Sequence, residues 1–243
     1  DMRYKTSSEL KGEARELLIG RYGSFFMMFI LISLMMFLMR ILGDAISGFL
    51  GEAIGSTAVY TAISVLFLII NIVFDVFILS IFTPGISLFF LSAASARIPQ
   101  PGSTVFNALN GIFAKGLLLG MFVFLPQYIL LIPAQVLMLI NYNTPNVAVV
   151  VAFVIGYLIA LPYSLYVSQA YFLMLDFPEM SALELIKLSA NKMKGNVLRY
   201  LVIRLSFIPM YILGILSFGI GLFWVLAYMY MVDALFFLDL MRG

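Results

Sequence analysis

Residues 197–240 read VLRYLVIRLSFIPMYILGILSFGIGLFWVLAYMYMVDALFFLDL: an apolar run from Val197 to Leu216, the connection SFGIG, and a second run from Ile220 to Leu240. A helix rises 1.5 Å per residue, so roughly 20 apolar residues cross a hydrocarbon core of about 30 Å, and each run is long enough. Gly219 and Gly221 permit a tight reversal, which predicts a helical hairpin of two spans. Inside the runs lie Arg204, about eight residues after the first begins, and Asp233, about seven before the second ends, each some 10 to 12 Å from the same membrane boundary. Equal depth on adjacent antiparallel helices predicts an Arg204–Asp233 ion pair, because a lone charge at the bilayer centre costs several kcal/mol.

The same apolar signature recurs along the chain. Phe25 to Leu42 forms one run, a second starts near Ala58 and passes Phe82, a third covers Gly116 to Ile140 with Pro126 and Pro133 inside it, and a fourth covers Val147 to Leu175 with Pro162. The second continues beyond Pro84 and Gly85 as far as Arg97, too long for one straight crossing, so a kink or break at Pro84 is expected. With 63% hydrophobic and 11% charged residues, the 243-residue chain reads as an all-α integral membrane protein of six transmembrane helices, a single membrane domain over residues 1–243. The net charge of +2 is dispersed beside apolar runs, which argues against nucleic acid and makes the lipid bilayer the first partner. Without cysteine or histidine there is no disulfide, thiolate or usual transition-metal ligand, and HExxH, GxSxG and P-loop patterns are missing. No catalytic residue, metal site or cofactor is expected, and the chain does not read as an enzyme. Its N-terminal stretch carries charges of both signs and does not read as a cleavable signal.

Orientation follows from Lys and Arg in the connections. Residues 3–21, the second connection with Arg97 and Lys115, the fourth with Lys187, Lys192, Lys194 and Arg199, and Arg242 at the end hold twelve of the 14 basic residues. That places both termini in the cytoplasm. Arg40 is expected to snorkel outward and to pair with Asp44, one turn on. The three basic connections also resemble one another: each starts with Ser, continues as a short amphipathic helix to Gly20, Gly111 or Gly195, and enters a span. The chain is therefore read as three consecutive hairpin units, approximately 8–97, 103–176 and 181–240, each preceded by a cytoplasmic amphipathic helix. In the last of these helices Ser181 and Glu184 form a capping-box pattern. Leu183, Ile186, Leu188 and Met193 are expected to dip into the headgroup region while Lys187, Lys192 and Lys194 face anionic lipid headgroups.

Asp75 lies deep in the second span with Asn71 one turn before it. It is expected close enough to compete for Arg204 or to face a cavity, and an aspartyl pair of Asp75 with Asp233 is a formal possibility. Gln169 and Ser168 occupy the place in the second unit that Asp233 has in the third, so an interior polar cluster of Asp75, Asn71, Arg204, Asp233 and Gln169 is the candidate site. Gln127, Gln135 and Ser164 read as interhelical hydrogen-bonding groups. Two functions fit: a membrane scaffold, biogenesis or regulatory protein acting on another membrane protein, or a small-solute or ion transporter or channel using the Asp/Arg cluster.

The C-terminal stretch from ALELIKLSANKMKG onward resembles the bacterial YciC-like integral membrane proteins, the family called domain of unknown function 975. The resemblance rests on Ser189, Met193 to Gly195, Leu205 to Ile208, Ile212 to Gly214, Gly219 to Gly221, Trp224 and Tyr228; ELKGEARELLIGRYGSFF is similar to the family's opening. Ala227 stands where the family has proline, and Asn196 where it tends to have histidine. The resemblance implies a multi-span protein of the bacterial cytoplasmic membrane and carries no established activity.

Overall fold

Local caps, glycines and prolines set the helix boundaries. The computed structural model describes residues 4–20, 22–95, 103–140 and 147–242, so Arg3, Arg21 and Arg97, all used above to assign orientation, lie outside the described residues. Among the described residues the secondary structure is helical: α1 (Ser7–Leu18), α2 (Tyr22–Ile54), α3 (Thr57–Ala94), α4 (Ser103–Ile140), α5 (Val147–Val167), α6 (Ala170–Asp176), α7 (Ala182–Met193), α8 (Val197–Leu205), α9 (Ile208–Leu216) and α10 (Ile220–Arg242). Six stretches are long and apolar enough to cross a membrane: Phe25–Ile54, Thr57–Ala94, Phe113–Leu139, Val147–Asp176, Val197–Leu216 and Ile220–Arg242.

Helices α1 and α7 are built alike. Thr6 and Ser181 are the N-caps, each accepting from the backbone of a Glu three residues on and each held in return by that carboxylate. Both helices run 12 residues. Both then reach a glycine in the left-handed region, Gly20 at φ 79° and Gly195 at φ 83°, where a side chain would strain the backbone. With an offset of 175 residues, the fully buried Leu10, Ala14 and Leu18 of α1 correspond to Leu185, Ser189 and Met193 of α7.

The second unit departs from this plan. No reversal separates a short helix from the third span; α4 is continuous from Ser103 to Ile140, through Gly111. Gly116 is used instead for close approach to α3: a Cβ there would stand 3.1 Å from the Pro84 ring and 3.4 Å from the Ser80 carbonyl oxygen, and one on Gly120 would lie 1.7 Å from Ser80 Oγ. Gly116-x-x-x-Gly120 is thus a small-residue crossing of the kind that lets spans touch backbone to backbone. Of the kink or break expected at Pro84, the break does not occur. Proline leaves the Ser80 carbonyl without its helical donor, but α4 covers that carbonyl, and α3 runs unbroken from Thr57 to Ala94. Breaks fall elsewhere, at Ser168–Gln169 between α5 and α6 and at Ser206–Phe207 between α8 and α9.

Successive long helices pack antiparallel. Gly51 meets Tyr60 and Gly43 meets Phe67 between α2 and α3, Gly156 meets Leu130 between α4 and α5, and Gly214 meets Leu222 between α9 and α10. The reversal before α10 has Phe218 at φ 56° and Gly219 at φ 83°. The broadest interface joins α3 to α4, across the boundary between the first two sequence units. Helix α10 is central, touching α1, α2, α3 and α9. The core is concentrated at one end of the bundle, where Leu10, Phe90, Leu173, Leu185, Phe236 and Phe237 are inaccessible. Along α2 and α5 the outward residues, among them Leu38, Phe49, Val150 and Leu158, are exposed and apolar, the surface a lipid-facing helix presents.

Candidate functional site

Among the described residues, paired charge within the candidate spans falls into three groups that do not share partners. In the last hairpin, Arg204 Nη2 lies 2.9 Å from Asp233 Oδ2. Tyr200, one turn before Arg204 on α8, donates its hydroxyl to Asp233 Oδ1 at 3.0 Å and accepts from Arg204 Nε at 2.9 Å. Arg204 Nη1 reaches the Met229 sulfur at 2.7 Å, and Tyr211 donates to the same sulfur at 2.8 Å. Both carboxylate oxygens and all three guanidinium nitrogens therefore have partners within α8, α9 and α10.

Asp75 is elsewhere. Its partner is Arg40 of α2, whose Nη2 lies 3.0 Å from Asp75 Oδ2, with the Tyr128 hydroxyl of α4 at 3.2 Å from the same oxygen. This corrects two expectations: Arg40 does not pair with Asp44, and Asp75 does not compete for Arg204. The physical reason is burial. Asp75 is 1% exposed, so an unpaired carboxylate there would cost far more than the few tenths of a kcal/mol that a surface i,i+4 pair supplies. Gly43 makes the contact possible, since a Cβ there would stand 3.0 Å from the Phe67 ring, letting α2 and α3 close to within reach of Arg40. Among the described residues, Asp75 Oδ1 and Asn71 Oδ1 are buried with no hydrogen-bond partner, as is Gln135 Oε1 on α4.

Gln169 joins neither group. It sits at the break between α5 and α6, fully buried, its backbone N–H donating to Ser189 Oγ at 3.3 Å and its side-chain amide to Ser168 Oγ at 3.0 Å, while Ser189 donates to the Tyr166 carbonyl at 2.7 Å. Ser189 of α7 thus fills the break. The five sequence-selected residues divide into three places: Arg204 with Asp233, Asp75 with Asn71, and Gln169 alone. Asp75 and Asp233 are no aspartyl dyad, each being held by a different arginine. Gln127 and Ser164 bond back to Val123 and Leu161 of their own helices instead of bridging helices.

Sequence reasoning missed Arg40, Tyr128, Tyr200 and a third charged group. Asp239, 6% exposed, is held by Arg199 and by the backbone N–H of Lys5 at 3.2 Å, fastening the N-terminus to the end of α10. An acid in the last turn of a span was the available signal; its partner 234 residues away carries none.

On α7, Lys187 and Lys194 are exposed and Lys192 is half-buried. Met193 is fully buried, and Ile186 and Leu188 pack against the core, so the apolar face of α7 is taken up by the protein and does not dip into lipid; Leu183 alone of the four expected residues is exposed, at 51%. The contacts with α4, α5 and α6 give the reason: the neighbouring helices supply the apolar surface that lipid would otherwise provide.

Six long apolar helices with paired charges inside them define a multi-pass α-helical membrane protein. The chain belongs to the family described as Protein of unknown function (DUF975), whose model matches residues 2–242. The match includes Arg40 and Asp75 as well as the C-terminal hairpin. No curated protein and no solved structure matches the chain.

Proposed function

We propose that the protein is a multi-pass component of the bacterial cytoplasmic membrane, with both termini in the cytoplasm, that serves as a scaffold, biogenesis or regulatory partner of another membrane protein. The observation that carries this reading is the closure of the Arg204–Asp233 group, whose polar atoms are all engaged by Tyr200, Met229 and each other, leaving none to handle a passing solute. Such a pair fixes the register of a hairpin. The likeness of α1 and α7 supports the descent of the chain from a repeated unit of cytoplasmic helix and hairpin, modified in its second copy. The exposed Lys187 and Lys194, with Lys192, face anionic headgroups at the cytoplasmic surface, each contributing on the order of 1 kcal/mol of attraction.

A transport reading, in which a small cation or proton uses the second group, is favoured by one specific observation: Asp75 Oδ1 and Asn71 Oδ1 are buried acceptors with no donor among the described residues. Flux measurements on proteoliposomes separate the two. The scaffold reading expects proton, Na⁺ and K⁺ leak equal to that of empty vesicles for the unmodified protein, Asp75→Asn and Asp233→Asn alike; flux abolished by Asp75→Asn would overturn it.

A further inference from the structure

Between the start of α2 and the start of α10 a cleft of about 200 Å³ opens on the outer surface, lined by Tyr22, Gly23, Phe25, Phe26, Phe223 and Trp224. Its wall is aromatic: the Phe26 ring stands 4.8 Å from Phe223 and 6.2 Å from Trp224, and Trp224 is half exposed. Gly23 has nothing within 4 Å of where a Cβ would be, so the space beside it is open.

Two cations lie on α1, which packs along α10 beside the cleft. Lys11 and Arg15 stand one turn apart on α1, Lys11 Nζ 4.6 Å from the Phe207 centroid and Arg15 Cζ 5.7 Å from the centroid of Tyr228. Tyr228 is one turn from Trp224 on α10, and Tyr22 of the cleft feels the Arg15 charge; burial is the main cause raising its hydroxyl pKa, Tyr228 adds to this, and Arg15 opposes it. Neither cation has a carboxylate partner among the described residues. Glu13 is taken by Lys5 at 2.5 Å, Glu9 caps Thr6, and Glu16, adjacent in sequence to Arg15, points round to a different face of the helix. Lys11 donates to the Ser206 carbonyl at 3.3 Å. Its pKa lies below the ordinary lysine value, through burial first and then repulsion from Arg15. Two like charges, held together over aromatic rings beside an apolar cleft, form a half-site for an anion with an apolar tail.

We infer that this cleft holds an anionic glycerophospholipid, its phosphate between Lys11 and Arg15 and one acyl chain along Phe26, Phe223 and Trp224. A lipid held here clasps α1 to the hairpin of α9 and α10, separately from the headgroup attraction of α7.

Trp224 is the sole tryptophan of the chain, so its fluorescence reports occupancy directly. The protein is reconstituted in phosphatidylcholine vesicles containing equal fractions of either phosphatidylglycerol or phosphatidylcholine with brominated chains. With each basic residue supplying on the order of 1 kcal/mol, or about fivefold, brominated phosphatidylglycerol is expected to quench at roughly tenfold lower fraction or better. Arg15→Gln reduces the preference about fivefold, Lys11→Gln with Arg15→Gln removes it while leaving quenching by brominated phosphatidylcholine in place, and Gly23→Leu weakens quenching by both lipids. Excess inorganic phosphate leaves the preference unchanged. Equal quenching by the two lipids in the unmodified protein overturns the inference, as does a preference that survives the double substitution or is abolished by free phosphate. Arg15 is exposed, so that variant decides the matter even where Lys11→Gln fails to fold.

Discussion

Arg204 and Asp233 give every side-chain polar atom they have to neighbours on α8 and α10, whereas Arg40 and Asp75 share a single carboxylate oxygen and leave the other bare. Both are Arg–Asp pairs inside candidate spans. The difference lies in what surrounds them. Tyr200 is fully buried, within reach of both members of its pair, and acts as donor to one and acceptor for the other, so that the desolvation of the charges is met by hydrogen bonds as well as by Coulomb attraction. Tyr128 reaches only the oxygen that Arg40 already occupies, and the Arg40 side chain is 59% exposed. A closed pair locks helices; an open one leaves a carboxylate able to accept something else.

Breaking the closed pair gives the largest effect. Asp233→Ala strands Arg204 and the Tyr200 hydroxyl together, and the loss is expected to be about 3 to 5 kcal/mol, the cost of removing one partner of a buried pair. Denaturant titration in detergent micelles measures it, and a loss below about 1 kcal/mol would mean that the pair does not fix the hairpin. Arg204→Met with Asp233→Leu, which removes both charges, is expected to recover most of the stability.

Next comes the crossing that holds α4, and with it Tyr128, beside Asp75. A methyl group on Gly120 would overlap Ser80 Oγ and lie 2.9 Å from Ser80 Cα. Gly120→Ala is expected to cost about 1 to 3 kcal/mol by overpacking. Adding Ser80→Gly is expected to restore part of this, because the hydroxymethyl obstruction goes while the backbone approach remains; no recovery in the double variant would place the strain elsewhere.

Asp75→Asn is expected to cost about 1 kcal/mol or less, several-fold below Asp233→Ala. Arg40 is exposed enough to find other partners, and the amide still accepts from Tyr128. Comparing the midpoints of the two variants under identical conditions checks this, and equal losses would erase the distinction between the pairs.

The same contrast explains how much the sequence could say. The spans were legible because a 20-residue apolar run has few other uses. The Arg204–Asp233 pair was legible because a tight reversal fixes two helices antiparallel, and depth can then be counted from one boundary on both. Asp75 offered no such yardstick. Its partner comes from α2, whose offset depends on the connection around Gly55, and Asp44 beside Arg40 satisfied the local rule. Only the knowledge that Asp75 is buried and Asp44 is not decides between them. Proline and glycine misled in opposite ways: Pro84 reads as a kink or break and Gly111 as the end of a short helix, yet α3 and α4 are each continuous through them, with Gly116 packed on Pro84. The fastening of Lys5 and Arg199 on Asp239 joins chain ends and leaves no periodic trace.

An exposed carboxylate completes the series with the smallest effect. Glu184 caps α7 by accepting from the Ser181 backbone N–H at 2.8 Å and from its hydroxyl at 2.8 Å. These bonds, the backbone one first, hold its pKa below the ordinary glutamate value, with Lys187 adding a little and partial desolvation opposing them. A depressed carboxylate contributes stability above its unfolded-state pKa, and that contribution disappears as pH falls through the folded value. Glu184→Gln keeps an acceptor at the same place but carries no charge. The difference in stability between the two proteins is therefore expected to be small at neutral pH, to fade below about pH 4, and to shrink in high salt, because nothing shields this group from solvent. A difference that grew on acidification would mean that the protonated acid is the better cap.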